Sequence, residues 1–131
     1  EFLEYAEVYD HWYGVPRSQV RYGLQSGKDV ILKIDVQGAA TVRRLAPEAL
    51  FIFILPGSMN HLRERLLDRM TESSPELELR LATAAEELTQ VREFDYRVVN
   101  DHDQLDRSVA EIDAIISAEK CRIDPRMVEL L

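Results

Sequence analysis

Three groups of residues in this 131-residue chain combine side-chain types and spacings that could do chemistry. The first lies in VILKIDVQGA, Val30 to Ala39, where Lys33 and Asp35 stand two apart inside an otherwise apolar, β-branched run. On a strand these two share a face with Ile31, while Val30, Leu32, Ile34 and Val36 share the other. Two roles are open to Asp35. It can pair with Lys33 or cap the helix that follows, or it can face a ligand beyond the carboxyl end of the strand, where open α/β sheets bind their ligands. The second group is made of arginines. Arg65 and Arg69 are four apart, a spacing at which like charges on a helix repel unless an anion lies between them. Arg80 opens the next helical stretch. Guanidinium forks match phosphate oxygens and can neutralise charge on a transferring phosphoryl group. The alternative is a solvated face with Glu64, Asp68, Glu76 and Glu78 as counter-ions. The third group is Glu4, Tyr13 and Gly14, where a carboxylate can accept two N–H bonds from a purine edge and a phenol can donate to phosphate. A tyrosine in a strand also serves packing alone.

The elements that must hold these residues alternate in type. FLEYAEVY (Phe2 to Tyr9) and WYGVP predict a strand pair joined by a turn at Asp10 and His11. Pro16 stands where a helix can begin, Ser18 to Gln25 suits one, and Gly27 stops it. VILKID predicts a strand, and Gln37 to Leu45 a helix closed by Pro47. The apolar run Leu50 to Leu55 predicts another strand, ended by Pro56 and Gly57. Ser58 can cap a helix in which Leu62 and Leu66 share a face. Ser74-Pro75-Glu76 is a second helix start, followed by the stripe Leu77, Leu81, Ala84 and Leu88. Tyr96 to Asn100 predicts a strand, and Leu105, Val109, Ile112 and Ile116 a final amphipathic helix. Strands separated by helices predict βαβ units, a parallel sheet and helices on its faces.

Composition narrows the function classes. With 46% hydrophobic residues, the chain can build one core but not two independent domains of ordinary size. A net charge of −8 argues against nucleic-acid binding, which needs lysines and arginines spread against phosphates. Cys121 is the single cysteine and has no metal-ligand spacing around it, which suits a reducing, cytoplasmic setting and argues against a metal site built from these residues. Ala49 to Leu55, the longest apolar run, is too short to cross a membrane, and no signal-peptide pattern opens the chain. Glu1 leads directly into strand-like sequence without a cap or polar lead-in, so the protein's true beginning is expected upstream.

Taken in order, FLEYAEVYDHWYG, GKDVILKIDVQGA, FIFILPGS, RERLLDRMTES with LRLATAAEEL, and FDYRVVND resemble guanylate kinase, the nucleoside monophosphate kinase that moves a phosphoryl group from ATP to GMP. The resemblance runs roughly from Glu1 to Arg122. It implies an α/β fold of the P-loop kinase type, a three-layer parallel sheet with flanking helices and with GMP-binding and lid excursions. Residues 1–28 would be the remainder of the GMP-binding region, 29–69 and 92–122 the core α/β region, 70–91 the lid, and 123–131 a C-terminal tail. By the same resemblance Glu4 reads the guanine edge, Tyr13 with Gly14 holds the GMP phosphate, and Asp35 lies at the GMP site. Arg65, Arg69 and Arg80 are the catalytic contacts to phosphate, and Arg65, Arg69 and Asn100 serve the ATP side, with Asn100 near adenine. Mg2+ comes with ATP, its ligands expected mainly upstream.

The sequence also departs from that pattern. A phosphate loop of the form G-x-x-x-x-G-K-[ST] does not occur in these residues and is expected before them. Val15 replaces the hydroxyl residue usual after Tyr-Gly, Lys33 replaces an acid, and Met70-Thr71-Glu72 replaces Gly-Thr-Asp. These changes bear on guanine selection more than on reaction class. The residues alone are therefore expected to be inactive, and exposed sheet edges could drive self-association. The alternative in a different class is a catalytically inactive guanylate-kinase-like module that binds a protein partner.

Overall fold

A computed structural model describes residues 2–8, 11–58, 74–101 and 103–130. The chain divides into two compact units, one formed by residues 1–50 and 126–131 and the other by residues 51–125.

The first unit opens with β1 (Phe2–Val8) and β2 (His11–Pro16), an antiparallel pair as expected from the aromatic-rich sequence. Its register sets Glu4 opposite Val15, Tyr5 opposite Gly14 and Ala6 opposite Tyr13, with an irregularity between Phe2 and Glu4. Helix α1 (Arg17–Gln25) follows at once, with Pro16 as its N-cap residue, and lies against both strands. A proline suits a helix start, since its missing N–H is one the helix cannot use there. The helix ends in a two-bond clasp: Gly27 N–H donates to Leu24 O at 3.0 Å and Lys28 N–H to Gly23 O at 3.1 Å. Gly27 sits between them at φ +74°, the left-handed conformation this clasp requires. Gly23 has a separate reason to lack a side chain, because a Cβ there would stand 2.7 Å from Val30 Cγ2.

Val30–Asp35, expected as a strand, has no ladder partner among the described residues. A strand exists through hydrogen bonds to a neighbour, and no described strand pairs with this segment. The alternation expected of it survives all the same: Ile31 and Lys33 are exposed, and Val30, Leu32 and Ile34 are half-buried between them. Helix α2 (Val36–Leu45) then lies against β1 and buries Gly38, Ala39 and Val42. Arg43 and Arg44 fall in its last turn, where positive charge suits the helix dipole. Farther along, Arg126 Nη1 donates to Ala49 O at 3.2 Å, fixing residues after the last helix to this unit.

The second unit is built on a parallel pair, β3 (Ile52–Pro56) and β4 (Tyr96–Asn100), in the register Ile52 to Tyr96 through Pro56 to Asn100. Between them come α3 (Ser74–Glu87) and a 3-10 turn, Leu88–Glu93. A parallel pair needs such a crossover, so the α/β class expected from the sequence is the one found. The helix expected after Ser58 lies outside the described residues. On α3 the expected stripe holds: Leu77 is buried, and Leu81 and Ala84 are half-buried, as is Leu88 in the turn beyond. Phe51 is clamped to the start of β4. Its N–H donates to Asp95 Oδ2 at 2.9 Å, and its carbonyl accepts from Asp95 N and Tyr96 N at 2.9 and 3.1 Å. Phe94 meets Phe51 and Phe53 edge-on, at centroid distances of 6.3 and 4.9 Å.

Helix α4 (Leu105–Lys120) packs against β4 on a face that includes Ile112 and Ile116 of the expected stripe but not its other two residues. Leu105 and Val109 are exposed, while Ser108, Glu111, Ile112, Ile115, Ile116 and Glu119 form the covered stripe at helical spacing. Two buried polar groups rotate the helix to that face. Ser108 reaches Val99 and Asn100 of β4, and Tyr96 O–H donates to Glu119 Oε1 at 2.7 Å. Each finds a hydrogen-bond partner that offsets its burial.

Candidate functional site

The expected acceptor-side residues all belong to the first unit. The β1–β2 ladder places Glu4 at a diagonal register position from Tyr13, with Gly14 between Tyr13 and the Val15 that faces Glu4. Gly14 is exposed. Asp35 is the N-cap of α2, and its Oδ1 accepts from Gly38 N–H at 2.9 Å. Of the roles open to Asp35 from sequence, the helix cap is thus observed directly. Its backbone is extended, at φ −84° and ψ −178°, as an N-cap residue should be. Because α2 lies against β1, the same short stretch of structure carries both Glu4 and the helix that Asp35 opens.

The second unit holds the others. Arg80 is half-buried on α3, in the first half of the helix that begins at the Ser-Pro-Glu signal. Arg65 and Arg69 lie outside the described residues. Asn100 is the last residue of β4 and is paired in register with Pro56, the last residue of β3. It therefore stands at the carboxyl ends of the parallel pair, the edge at which open α/β sheets receive ligands. Its side chain is held from α4, with Ser108 Oγ 3.2 Å from Asn100 Oδ1.

Ser108 did not appear among the residues singled out from sequence. The signal was weak, because a polar residue between Leu105 and Val109 looks solvent-facing when the apolar positions alone set the stripe. The fuller period of three and four, from Ser108 through Ile112 and Ile116, would have found it.

Among the described residues no three His, Cys, Asp or Glu side chains come together in a way that could hold a metal ion. Cys121 is exposed and free. No helix among the described residues is long and apolar enough to cross a membrane.

Comparison with known proteins bears on the whole arrangement. The profile of the family described as guanylate kinase matches residues 1–119. A guanylate kinase of Caldanaerobacter subterraneus subsp. tengcongensis is 52% identical over 123 residues, covering 94% of this chain and 59% of that protein. One from Clostridium perfringens is 45% identical over 131 residues, covering 100% of this chain and 60% of that protein. The crystal structure of guanylate kinase from Anaplasma phagocytophilum superposes with a TM-score of 0.77 at 32% identity, over 94% of this chain and 58% of that one. The chain thus spans about three-fifths of the length of the relatives it matches.

Proposed function

This chain belongs to the guanylate kinase family, and from that premise we propose that it is the acceptor-binding, lid and adenine-side portion of an enzyme that transfers the γ-phosphoryl group of ATP to GMP, giving ADP and GDP. The observation that carries the proposal is the first unit's geometry: a strand ladder setting Glu4 opposite Val15 and at a diagonal register position from Tyr13, with the helix that Asp35 caps lying against β1. In this proposal Glu4 accepts N–H bonds from the guanine edge, and the Tyr13 hydroxyl donates to the GMP phosphate where Gly14 leaves room. Asp35 takes a donor group of GMP. An ionised carboxylate only accepts hydrogen bonds, so Glu4 and Asp35 suit the N–H and O–H groups of the nucleoside and not its phosphate.

Phosphoryl transfer asks the protein chiefly for positioning and for positive charge around the equatorial oxygens. We assign that charge to Arg65, Arg69 and Arg80, with residues 70–91 as a lid that carries Arg80 in and keeps water out. Residues 1–28 complete the GMP region, 29–69 and 92–122 the core, and 123–131 the tail. Asn100 lies near the adenine. Mg2+ bound with ATP would supply charge neutralisation to the phosphates, its ligands lying mainly outside these residues. The phosphate loop absent from these residues is assigned to the two-fifths of the relatives' length that this chain does not span. The setting proposed is the cytoplasm. No observation favours the protein-binding module.

The test is Glu4→Ala in the full-length protein, followed by calorimetry with GMP and with ATP. A polar site left unpaired rejects its ligand strongly, so GMP affinity is expected to fall by about a hundredfold while ATP affinity holds. Unchanged GMP affinity would remove Glu4 from the site and the proposal with it.

A further inference from the structure

The segment that follows α4 is ordered in its exposure. Arg126, Val128 and Leu130 are half-buried, while Met127 and Glu129 between them are exposed, Met127 by 70%. That is the period-two pattern of an extended chain with one face laid on a surface and the other in water. The segment forms no strand or helix, so its alternation comes from what it lies on. It belongs with the first unit, although it follows a helix of the second. Its guanidinium shows where on that unit it is held. Arg126 Nη1 donates to Ala49 O at 3.2 Å, Ala49 N–H to Ala46 O at 3.0 Å, and Ala46 N–H to Val42 O at 2.7 Å. These three bonds lead from the segment into the last turn of α2, where Ala46 is the C-cap residue and is 3% exposed. The end of a helix has carbonyls without intrahelical partners and is where fraying starts. Here α2 is held at both ends, by Asp35 Oδ1 at the first turn and by the bonded run to Arg126 at the last.

We infer that residues 126–130 are a strap that positions α2, and through α2 the Asp35 carboxylate, for the acceptor nucleotide. The second half of this rests on the placement of Asp35 at the GMP site proposed above. A helix of this length is about 15 Å long and stiff, so play at its last turn tilts its first. Asp35 is bonded to that first turn through Gly38 N–H and moves with it. The strap's inward side chains supply the grip: Val128 and Leu130 by apolar burial, and Arg126 by its bond to Ala49 O. Met127 and Glu129, on the outward face, contribute little to it. The strap touches neither substrate, and its residues act on acceptor binding only through α2.

The test has two arms, both on the full-length protein. Arg126 has interactions beyond its bond to Ala49 and is left in place. In the first arm, amide hydrogen exchange read by NMR is compared at Ala46 and along α1, which lies in the same unit. The inward variant Val128→Ser/Leu130→Ser should exchange about tenfold faster at Ala46, the scale of losing two half-buried aliphatic side chains, with little change along α1. The outward variant Met127→Ser should leave both unchanged. Val128→Ala removes less, should show the same pattern at smaller scale, and decides the matter if the double variant does not fold. Exchange at Ala46 that is unchanged in the inward variants, or raised no more than along α1, overturns the inference. In the second arm, steady-state kinetics of the inward variant should show KM for GMP raised about fivefold with KM for ATP and kcat nearly held, since a misdirected ligand group costs binding rather than turnover. Equal rises in KM for GMP and ATP would mean a general loosening and overturn the inference. If Ala46 responds and KM for GMP does not, the hold of the strap on α2 stands, while the placement of Asp35 at the acceptor fails and the second half of the inference with it.

Discussion

Asp35 caps α2 and is also assigned to the acceptor nucleotide, and two substitutions separate these roles. Asp35→Ala removes both. Losing an N-cap side chain costs about 1 kcal/mol, and losing a negative charge at the helix N-terminus adds about 0.3–1 kcal/mol. For a chain of this size the sum should lower Tm by about 4 °C or more. Asp35→Asn keeps an oxygen in the position that now accepts from Gly38 N–H at 2.9 Å, and asparagine caps as well as aspartate does. It should lose only the dipole contribution, a few tenths of a kcal/mol. At the ligand the order changes, because both variants remove the charge and a hydrogen bond to a charged group contributes about 1.5–3 kcal/mol. Both should weaken GMP by about tenfold or more. Thermal unfolding followed by circular dichroism reads the first effect, and GMP calorimetry reads the second. If Asp35→Asn were as destabilised as Asp35→Ala, the cap would not be what Asp35 contributes to α2. If Asp35→Asn bound GMP as the unaltered protein does, its carboxylate would play no part in acceptor binding.

Arg80→Ala is expected to lower kcat by at least tenfold more than it weakens GMP binding, because charge brought by a lid matters most in the transition state; equal losses in steady-state kinetics and calorimetry would make Arg80 a structural residue. Gly27→Ala places a Cβ at φ +74° in the clasp after α1 and should cost about 1 kcal/mol, measured as a lower urea midpoint with an unchanged slope. The 131 residues alone should show no GMP-dependent ADP formation, since no phosphate loop is among them, and should associate in solution through the edges of β3 and β4; turnover from a monomer would refute both statements.

What could be read in the sequence and what could not divide along a physical line. The strand Tyr96–Asn100 and the helix start at Ser74 were legible because each is marked by its own residues: a short β-branched run, and a serine, proline and acid in order. The covered face of α4 was legible only in part, through Ile112 and Ile116. Leu105 and Val109 are exposed, whereas Ser108 and Glu119 are buried, and each of those polar groups is inside because of a partner distant in sequence or on another element. Tyr96 is 23 positions from Glu119, a pairing that helical periodicity cannot contain. Val30–Asp35 failed in a related way. Its alternation was readable, but a strand is a relation between two segments, and one segment does not reveal its partner.

Asp35 shows why a structural role and a ligand role need not exclude each other. A carboxylate has about four lone-pair sites, and the bond from Gly38 N–H uses one. That bond fixes the side chain at the first turn of α2, and the fixed orientation lowers the entropy lost when a ligand donor arrives. The same negative charge would repel a phosphate placed against it. In the proposed complex the phosphate of GMP must therefore lie away from Asp35, toward Tyr13 and the arginines, with the nucleoside turned to Glu4 and Asp35. The cap fixes the carboxylate that sets the acceptor's direction, which is why Asp35→Asn, able to cap but uncharged, is expected to keep the helix and lose the nucleotide.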